Sequence, residues 1–157
     1  MSSITSFRTS SDASRLPVLD SLSALSYPLI RITAGLLLIP HGAQKLFGWF
    51  GGYGLSATGE FFATQLGLQP GLLIALLAGL VEFFGGLALV VGLLTRPAAL
   101  AVTVLMGVAI FSVHLPNGFF WTGGGYEYPL MWGLIAIAIV LRGGDRFSLD
   151  RRFGLPF

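Results

Sequence analysis

The pattern of apolar and polar positions divides the chain into four long apolar segments separated by shorter polar or glycine-rich stretches. The segments cover about residues 27–47, 71–95, 98–115 and 126–141. A helix rises about 1.5 Å per residue, so the segment 71–95 is long enough to cross a hydrocarbon layer of about 30 Å. The pattern predicts an all-α membrane protein, with a bundle of four transmembrane helices over residues 27–142.

The stretches outside these segments lack the apolar length needed to cross a membrane. Residues 1–26 are rich in serine and threonine, so we expect a disordered tail that contains at most a short helix after Pro17. Residues 48–70 are rich in glycine and aromatic residues, which predicts a short interfacial helix in the first outer loop. Residues 143–157 are basic, and we expect this second tail to rest on anionic headgroups.

The basic residues are distributed unevenly between the two ends of the predicted bundle. Only Lys45 falls at one end, and the eight arginines fall at the other: Arg8, Arg15, Arg31, Arg96, Arg142, Arg146, Arg151 and Arg152. Because cytoplasmic loops carry an excess of Lys and Arg, this distribution predicts that the N and C termini are both cytoplasmic.

Composition agrees with a membrane protein and narrows the chemistry. Apolar residues make up 54% and charged residues 10% of the chain, whereas an ordinary soluble domain has about 25% charged residues. The chain has no cysteine, which removes disulfides and thiolate metal sites. The net charge of +2 gives no reason to expect a nucleic-acid partner. We expect no metal site.

Glu82 is the one ionisable residue within the segment 71–95. A carboxylate at this depth costs about 2.5–3.5 kcal/mol on insertion scales. Glu82 shares a helical stripe with small residues that let another helix approach closely, so we expect it to face protein; the others are Ala75, Gly79 and Gly86.

Arg31 is the residue that we expect Glu82 to meet. Counting about 1.5 Å per residue from the outer helix ends places the two side chains about 6 Å apart in depth. Glu82 and Arg31 are therefore candidate catalytic residues that form a buried ion pair. The pair either fixes the register of the two helices or holds a proton-accepting carboxylate.

A second group of polar residues falls near the outer ends of the helices: His41, Lys45, His114 and Glu127. Two histidines, a lysine and a carboxylate at one level could surround a quinone ring, which makes them candidate cofactor-binding residues. Interfacial snorkelling and hydrogen-bonded packing are the alternative. Two histidines on facing helices could also ligate haem, but such pairs are common without a metal, so haem is disfavoured.

Several short motifs follow one another in order along the chain. They are R-x-x-x-G from Arg31, H-G-x-x-K from His41, E-x-x-G-G from Glu82, T-R-P-A-A from Thr95, the late His114, Glu127 and S-L-D from Ser148. This ordered set resembles the DoxX family over about residues 27–152. The resemblance implies a small four-helix protein of the bacterial inner membrane, similar to the small subunit of a thiosulfate–quinone oxidoreductase.

The resemblance also implies quinone-linked redox chemistry, since relatives are described as membrane partners in redox-stress complexes. Without a cysteine relay or a flavin or haem motif, electron transfer would require a bound quinone or a partner subunit. The first hypothesis is a quinone-binding membrane subunit of a redox complex. The alternatives are a non-enzymatic scaffold that anchors soluble redox enzymes and a small-solute carrier, for which four helices are few unless the protein forms a homo-oligomer.

Overall fold

Seven α-helices are connected mostly by short turns in the computed structural model, which describes residues 17–157 and the side chains of residues 22–157. Part of the predicted Ser-rich tail, residues 1–16, lies outside the described residues, so its disorder stays a prediction. The helices are α1 (Pro17–Phe47), α2 (Gly54–Thr64), α3 (Gly71–Leu80), α4 (Gly86–Val91), α5 (Thr95–Ala109), α6 (Glu127–Arg142) and α7 (Leu149–Arg152). No strand occurs among the described residues, which confirms the all-α prediction.

Two π-helical turns continue the preceding α-helix without a break. The turn Val81–Gly85 joins α3 to α4, and the turn Ile110–His114 extends α5 into a short 3₁₀ turn, Leu115–Asn117. Two further 3₁₀ turns, Trp49–Gly51 and Trp121–Gly123, precede α2 and α6. The helices α3 and α4 together therefore form one long rod, and α5 forms a second.

In the described part of the chain, three helical stretches are long and apolar enough to cross a membrane: Leu22–Phe47, Gly71–Val91 and Thr95–Asn117. The chain is therefore a membrane protein. The fourth predicted span coincides with α6, which has 16 residues and packs along α5. At about 1.5 Å per residue α6 is about 24 Å long, which is shorter than the hydrocarbon layer.

The first helix extends further than the sequence pattern predicts. The predicted span begins at Tyr27, whereas α1 begins at Pro17 and stays helical through Pro28 and Pro40. Neither proline ends the helix. The second predicted short helix is also present, since α2 lies within the stretch 48–70.

Glycines bring α1 and the α3–α4 rod into backbone contact. A Cβ atom placed on Gly35 would lie 2.4 Å from the carbonyl oxygen of Gly86, and one on Gly42 would lie 2.4 Å from the backbone nitrogen of Phe83. No side chain larger than hydrogen fits at either position without displacing the partner helix. The stripe that was predicted to face protein is buried, as expected: Ala75, Gly79, Glu82 and Gly86.

Small and branched side chains fill the interior between α1, α4, α5 and α6. The buried cluster consists of Ala34, Leu38, Leu89, Ala99, Val102, Met106, Ala136 and Ile139. The outer surface is also apolar, since Leu29, Phe111 and Leu141 are 66%, 73% and 75% exposed. Exposed apolar side chains of this number and size suit a surface that faces lipid.

Candidate functional site

Lys45 and Glu82 form an ion pair between α1 and the π turn that follows α3. The Lys45 Nζ donates to both carboxylate oxygens of Glu82, at 2.9 Å to Oε1 and 2.7 Å to Oε2. The side chains are 23% and 10% exposed. Burial of a single charge at this depth is costly, and the pairing offsets that cost because each group balances the other.

The predicted pairing of Glu82 with Arg31 is wrong. Arg31 is fully buried, and its Nε donates to Oδ2 of Asp145 at 3.0 Å. The error lies in the assumption that the outer ends of the first two spans are level. A Cβ atom on Gly79 would lie 2.7 Å from the Leu46 side chain, so the end of α1 lies beside Gly79 rather than beside Gly71.

This offset places the Lys45 side chain deeper in the bundle, at the level of Glu82, and leaves Arg31 at the other end of the bundle. The part of α3 beyond the end of α1 is about 12 Å long, or about two turns. It packs against α2, because a Cβ atom on Gly59 would lie 2.8 Å from the Cα of Leu72. The predicted interfacial helix thus supports the start of the second span.

A cavity of about 680 Å³ lies beside the Lys45–Glu82 pair. Its volume is within the range of about 300–1,000 Å³ that is typical of small-molecule sites. Residues from α1, α2, α3, α5 and α6 all contribute to its walls, and most are apolar. They are Leu37, Leu38, His41, Lys45, Phe61, Phe62, Leu66, Leu68, Ile74, Ala78, Glu82, Leu105, Met106, Val108, Ala109, Val113, His114, Tyr128, Pro129 and Trp132.

Four of the six candidate site residues line this one cavity: His41, Lys45, Glu82 and His114. The expectation that the polar residues near the outer helix ends lie together therefore holds for three of its four members. Their roles in binding or catalysis stay predictions. Tyr128 and Trp132 also line the cavity. The sequence did not indicate this role, because aromatic residues near a helix end are ordinarily lipid anchors.

The two histidines differ in how they are held. The Nδ1 of His114 lies 2.6 Å from the carbonyl oxygen of Gly124. Since a carbonyl oxygen only accepts, this nitrogen bears the proton, which leaves Nε2 available as an acceptor in the neutral ring. His41 has no hydrogen-bond partner among the described residues. It is exposed, whereas Arg31, Ala34 and Leu38, which lie at helical spacing before it on α1, are buried.

The two π turns place Glu82 and His114 at the cavity wall. Glu82 lies in the turn Val81–Gly85, and His114 is the last residue of the turn Ile110–His114. A π turn adds one residue to a helical turn, which shifts every following side chain around the helix axis, and such turns occur frequently at functional sites. No periodic pattern in the sequence indicates this shift.

Glu127 lies apart from the cavity lining. It is the first residue of α6, and its Oε2 accepts a hydrogen bond from the backbone nitrogen of Trp121 at 3.1 Å. The carboxylate therefore holds the aromatic turn before α6. Its side chain turns back on the loop, so Glu127 does not line the cavity that His41, Lys45 and His114 share.

At the opposite end of the bundle, Arg31 and the C-terminal segment close the turn between α4 and α5. The Arg31 Nη1 donates to the carbonyl oxygens of Leu89 and Val90 in the last turn of α4, at 3.1 Å for Val90. These carbonyls have no partner within the helix, and a cation at a helix C-terminus is favourable.

Asp150 performs the complementary role at the start of α5. Its Oδ1 and Oδ2 accept hydrogen bonds from the backbone nitrogens of Leu94 and Thr95, at 2.7 and 2.8 Å. Its own backbone nitrogen donates to the carbonyl oxygen of Gly92 at 2.8 Å. We call the group formed by Arg31, Asp145, Ser148 and Asp150 on the turn 92–95 the C-terminal clasp.

Comparison with known proteins agrees with the motif order. The family model described as DoxX matches residues 27–115. The chain belongs to the DoxX family. It is 33% identical over 127 residues to an uncharacterized protein of Haemophilus influenzae, in an alignment that covers 79% of this chain and 87% of that protein. A second uncharacterized protein of the same organism is 36% identical over 62 residues, which cover 40% of this chain and 41% of that protein. No solved structure matches the chain.

The motifs on which the family resemblance rested separate into two structural groups. H-G-x-x-K and E-x-x-G-G bring Lys45 and Glu82 together at the cavity. Arg31 of the first motif, T-R-P-A-A and S-L-D meet in the clasp, where Asp150 caps Thr95. In this DoxX protein the candidate catalytic residues Glu82 and Arg31 therefore belong to different ends of the bundle.

The C-terminal segment of the DoxX protein is more than a basic tail. Its two carboxylates, Asp145 and Asp150, are 8% and 1% exposed, whereas Arg146, Arg151 and Arg152 are exposed. Sequence reasoning missed the carboxylates because the arginines dominate the charge of the segment. A comparison of which carboxylates lie at the same end of the bundle as Arg31 would have indicated them, since the buried arginine requires an acidic partner there.

Proposed function

We propose that this DoxX protein is a membrane subunit that binds a quinone in the cavity and works with a redox partner protein. The observation that supports this proposal is the cavity itself, with apolar walls and a Lys45–Glu82 pair and two histidines as its polar groups. Such a cavity fits an amphipathic ligand that enters from lipid and presents oxygen atoms to a few donors.

The residues present suit the head group of a quinone. The Lys45 ammonium donates hydrogen bonds to carbonyl-type oxygens, Glu82 holds it in place, and His41 and His114 each offer a ring nitrogen that can accept or release a proton. A bound quinone supplies two-electron chemistry coupled to two protons. Aromatic side chains such as Tyr128 and Trp132 offer faces for the ring.

The proposed arrangement in the membrane completes this picture. α6 is the fourth crossing and both termini are cytoplasmic, as the distribution of arginines favours. Membership of the DoxX family supports a location in the bacterial inner membrane. Arg152, on the exposed C-terminal segment, is then on the same side as soluble cytoplasmic enzymes. Electron transfer then depends on the bound quinone and on a partner subunit, because the chain has no cysteine relay of its own.

Protein purified in mild detergent is expected to contain quinone enriched over the bulk membrane. A His41→Ala, Glu82→Gln double variant is expected to lose about tenfold or more of it, since charged hydrogen bonds contribute about 1.5–3 kcal/mol each. Mass spectrometry of the extracted lipids measures the ratio. The control is Glu60→Gln, which makes the same chemical change at an exposed site on α2 outside the cavity.

Quinone at the bulk level in all samples would contradict a redox site in the cavity. Identical quinone content in the wild type and in a folded double variant would show that His41 and Glu82 do not contribute to quinone binding. The first result would favour the scaffold hypothesis, in which the cavity has no part.

Single cysteines introduced on either side of α6 are expected to be labelled from opposite sides of the membrane. Thr122→Cys lies before α6 and Arg152→Cys after it, at exposed positions in a chain that contains no other cysteine. In intact spheroplasts a membrane-impermeant maleimide is expected to label the first site, whereas the second requires lysis. Labelling of both sites without lysis would show that α6 does not cross.

A further inference from the structure

A second, polar cavity of about 380 Å³ lies at the clasp end of the bundle, between the start of α1 and the C-terminal segment. Three arginines surround it, and α1 supplies a small apolar wall. The lining residues are Ala24, Pro28, Arg142, Gly144, Asp145, Arg146 and Arg151. This cavity shares no lining residue with the larger cavity, so an inference about it is independent of the proposed quinone site.

Among the residues whose side chains are described, no carboxylate forms an ion pair with the arginines of this cavity. The ion pairs among the described residues are Arg31–Asp145 and Lys45–Glu82, so none of the three lining arginines has a carboxylate partner there. Both oxygens of Asp145 are already engaged. Oδ2 accepts from Arg31, and Oδ1 accepts from the backbone nitrogen of Phe147 at 2.7 Å. The Arg31 charge thus offsets the one carboxylate in the wall.

Aromatic rings hold two of the three guanidinium groups. Arg142 stacks over the ring of Tyr27 at 4.5 Å, and Arg146 stacks over the ring of Phe147 at 4.6 Å. Tyr27 is itself fixed, because its hydroxyl donates to the carbonyl oxygen of Gly143 at 2.5 Å. Stacking uses the face of a guanidinium and leaves the N–H groups along its edge free for an anion.

The cavity lies where a membrane surface would be. Ala24 lies near the start of α1, which begins at Pro17, and α6 ends at Arg142. The guanidinium edge matches phosphate oxygens in a bidentate manner, and basic pockets between transmembrane helices bind acidic headgroups. We propose that Arg142, Arg146 and Arg151 form a binding site for a phosphate group, carried by an acidic phospholipid or present as soluble phosphate.

Native mass spectrometry of the full chain released from nanodiscs tests this site. The pocket variant is Arg146→Gln, Arg151→Gln, and the matched control is Arg96→Gln, Arg152→Gln, which removes the same charge outside the cavity. Phosphatidylglycerol retained by the wild type is expected to fall about tenfold or more in the pocket variant and less than about twofold in the control. Phosphatidylcholine is expected to be retained weakly by all three proteins.

A second arm distinguishes the source of the phosphate group. Inorganic phosphate added in a zwitterionic detergent is measured by its effect on thermal unfolding. If phosphate protects the wild type and not the pocket variant, while lipid retention is equal in both, the ligand is soluble phosphate. Equal losses of phosphatidylglycerol in the pocket and control variants, or no selective effect in either arm, would overturn the proposal. Should the double variants unfold, the neighbours Arg151→Gln and Arg152→Gln give the same comparison singly.

Discussion

Replacement of Arg31 by Met is expected to lower the free energy of unfolding by about 3–5 kcal/mol, the cost of breaking a buried ion pair from one side. Arg31 is fully buried, and its loss leaves the Asp145 carboxylate, 8% exposed, without its cation. The carbonyl oxygens of Leu89 and Val90 at the end of α4 lose their donor as well. Thermal or denaturant unfolding in mild detergent measures the change.

Arg96→Met is the matched control for this prediction. Arg96 lies at the same end of the bundle but is exposed, and its side chain donates one hydrogen bond, to the carbonyl oxygen of Pro156 at 3.2 Å. Its replacement is expected to cost less than about 1 kcal/mol, in line with exposed polar contacts. If Arg31→Met is no more destabilising than Arg96→Met, the clasp does not hold the bundle together.

The two ends of the molecule show how far the sequence can be interpreted. The small-residue stripe around Glu82 predicted that this carboxylate faces protein, because the periodicity of one helix is local information. The identity of its partner depends on how far one helix slides along another. The offset accompanies the close backbone contacts of Gly35 and Gly42 with the α3–α4 rod. The stretch of α3 beyond α1 packs against α2, and this contact between Gly59 and Leu72 has no periodic pattern in the sequence.

The cavity illustrates the same limit. His41, Lys45 and His114 were expected at one level from their distance to the helix ends, and the structure brings them to one cavity. α2 contributes Phe61 and Phe62 to the cavity wall, whereas its sequence predicted only a helix at the membrane surface. Aromatic residues suit both a cavity wall and a membrane surface. Tertiary packing decides between these environments, and no feature of the isolated segment does.

A double-variant cycle on Lys45 and Glu82 distinguishes a role of this ion pair in ligand binding from a purely structural role. Lys45→Met or Glu82→Leu alone leaves one charge beside an apolar cavity, and each is expected to cost about 1–3 kcal/mol of stability, moderated by the partial exposure of the lysine. The double variant removes both charges and is expected to recover at least half of that loss, because apolar residues of similar size replace a buried pair at little cost.

Quinone affinity is expected to behave differently from stability in the same three variants. If the Lys45 ammonium donates to the ligand and Glu82 positions it, affinity falls about tenfold or more in each single variant and stays low in the double. Titration of quinone into protein in nanodiscs, beside unfolding measurements on the same samples, gives both quantities. Recovery of affinity together with stability in the double variant would mean that the pair only shapes the cavity. Persistent loss of affinity in a stable double variant would instead place the ammonium and the carboxylate among the groups that recognise the ligand.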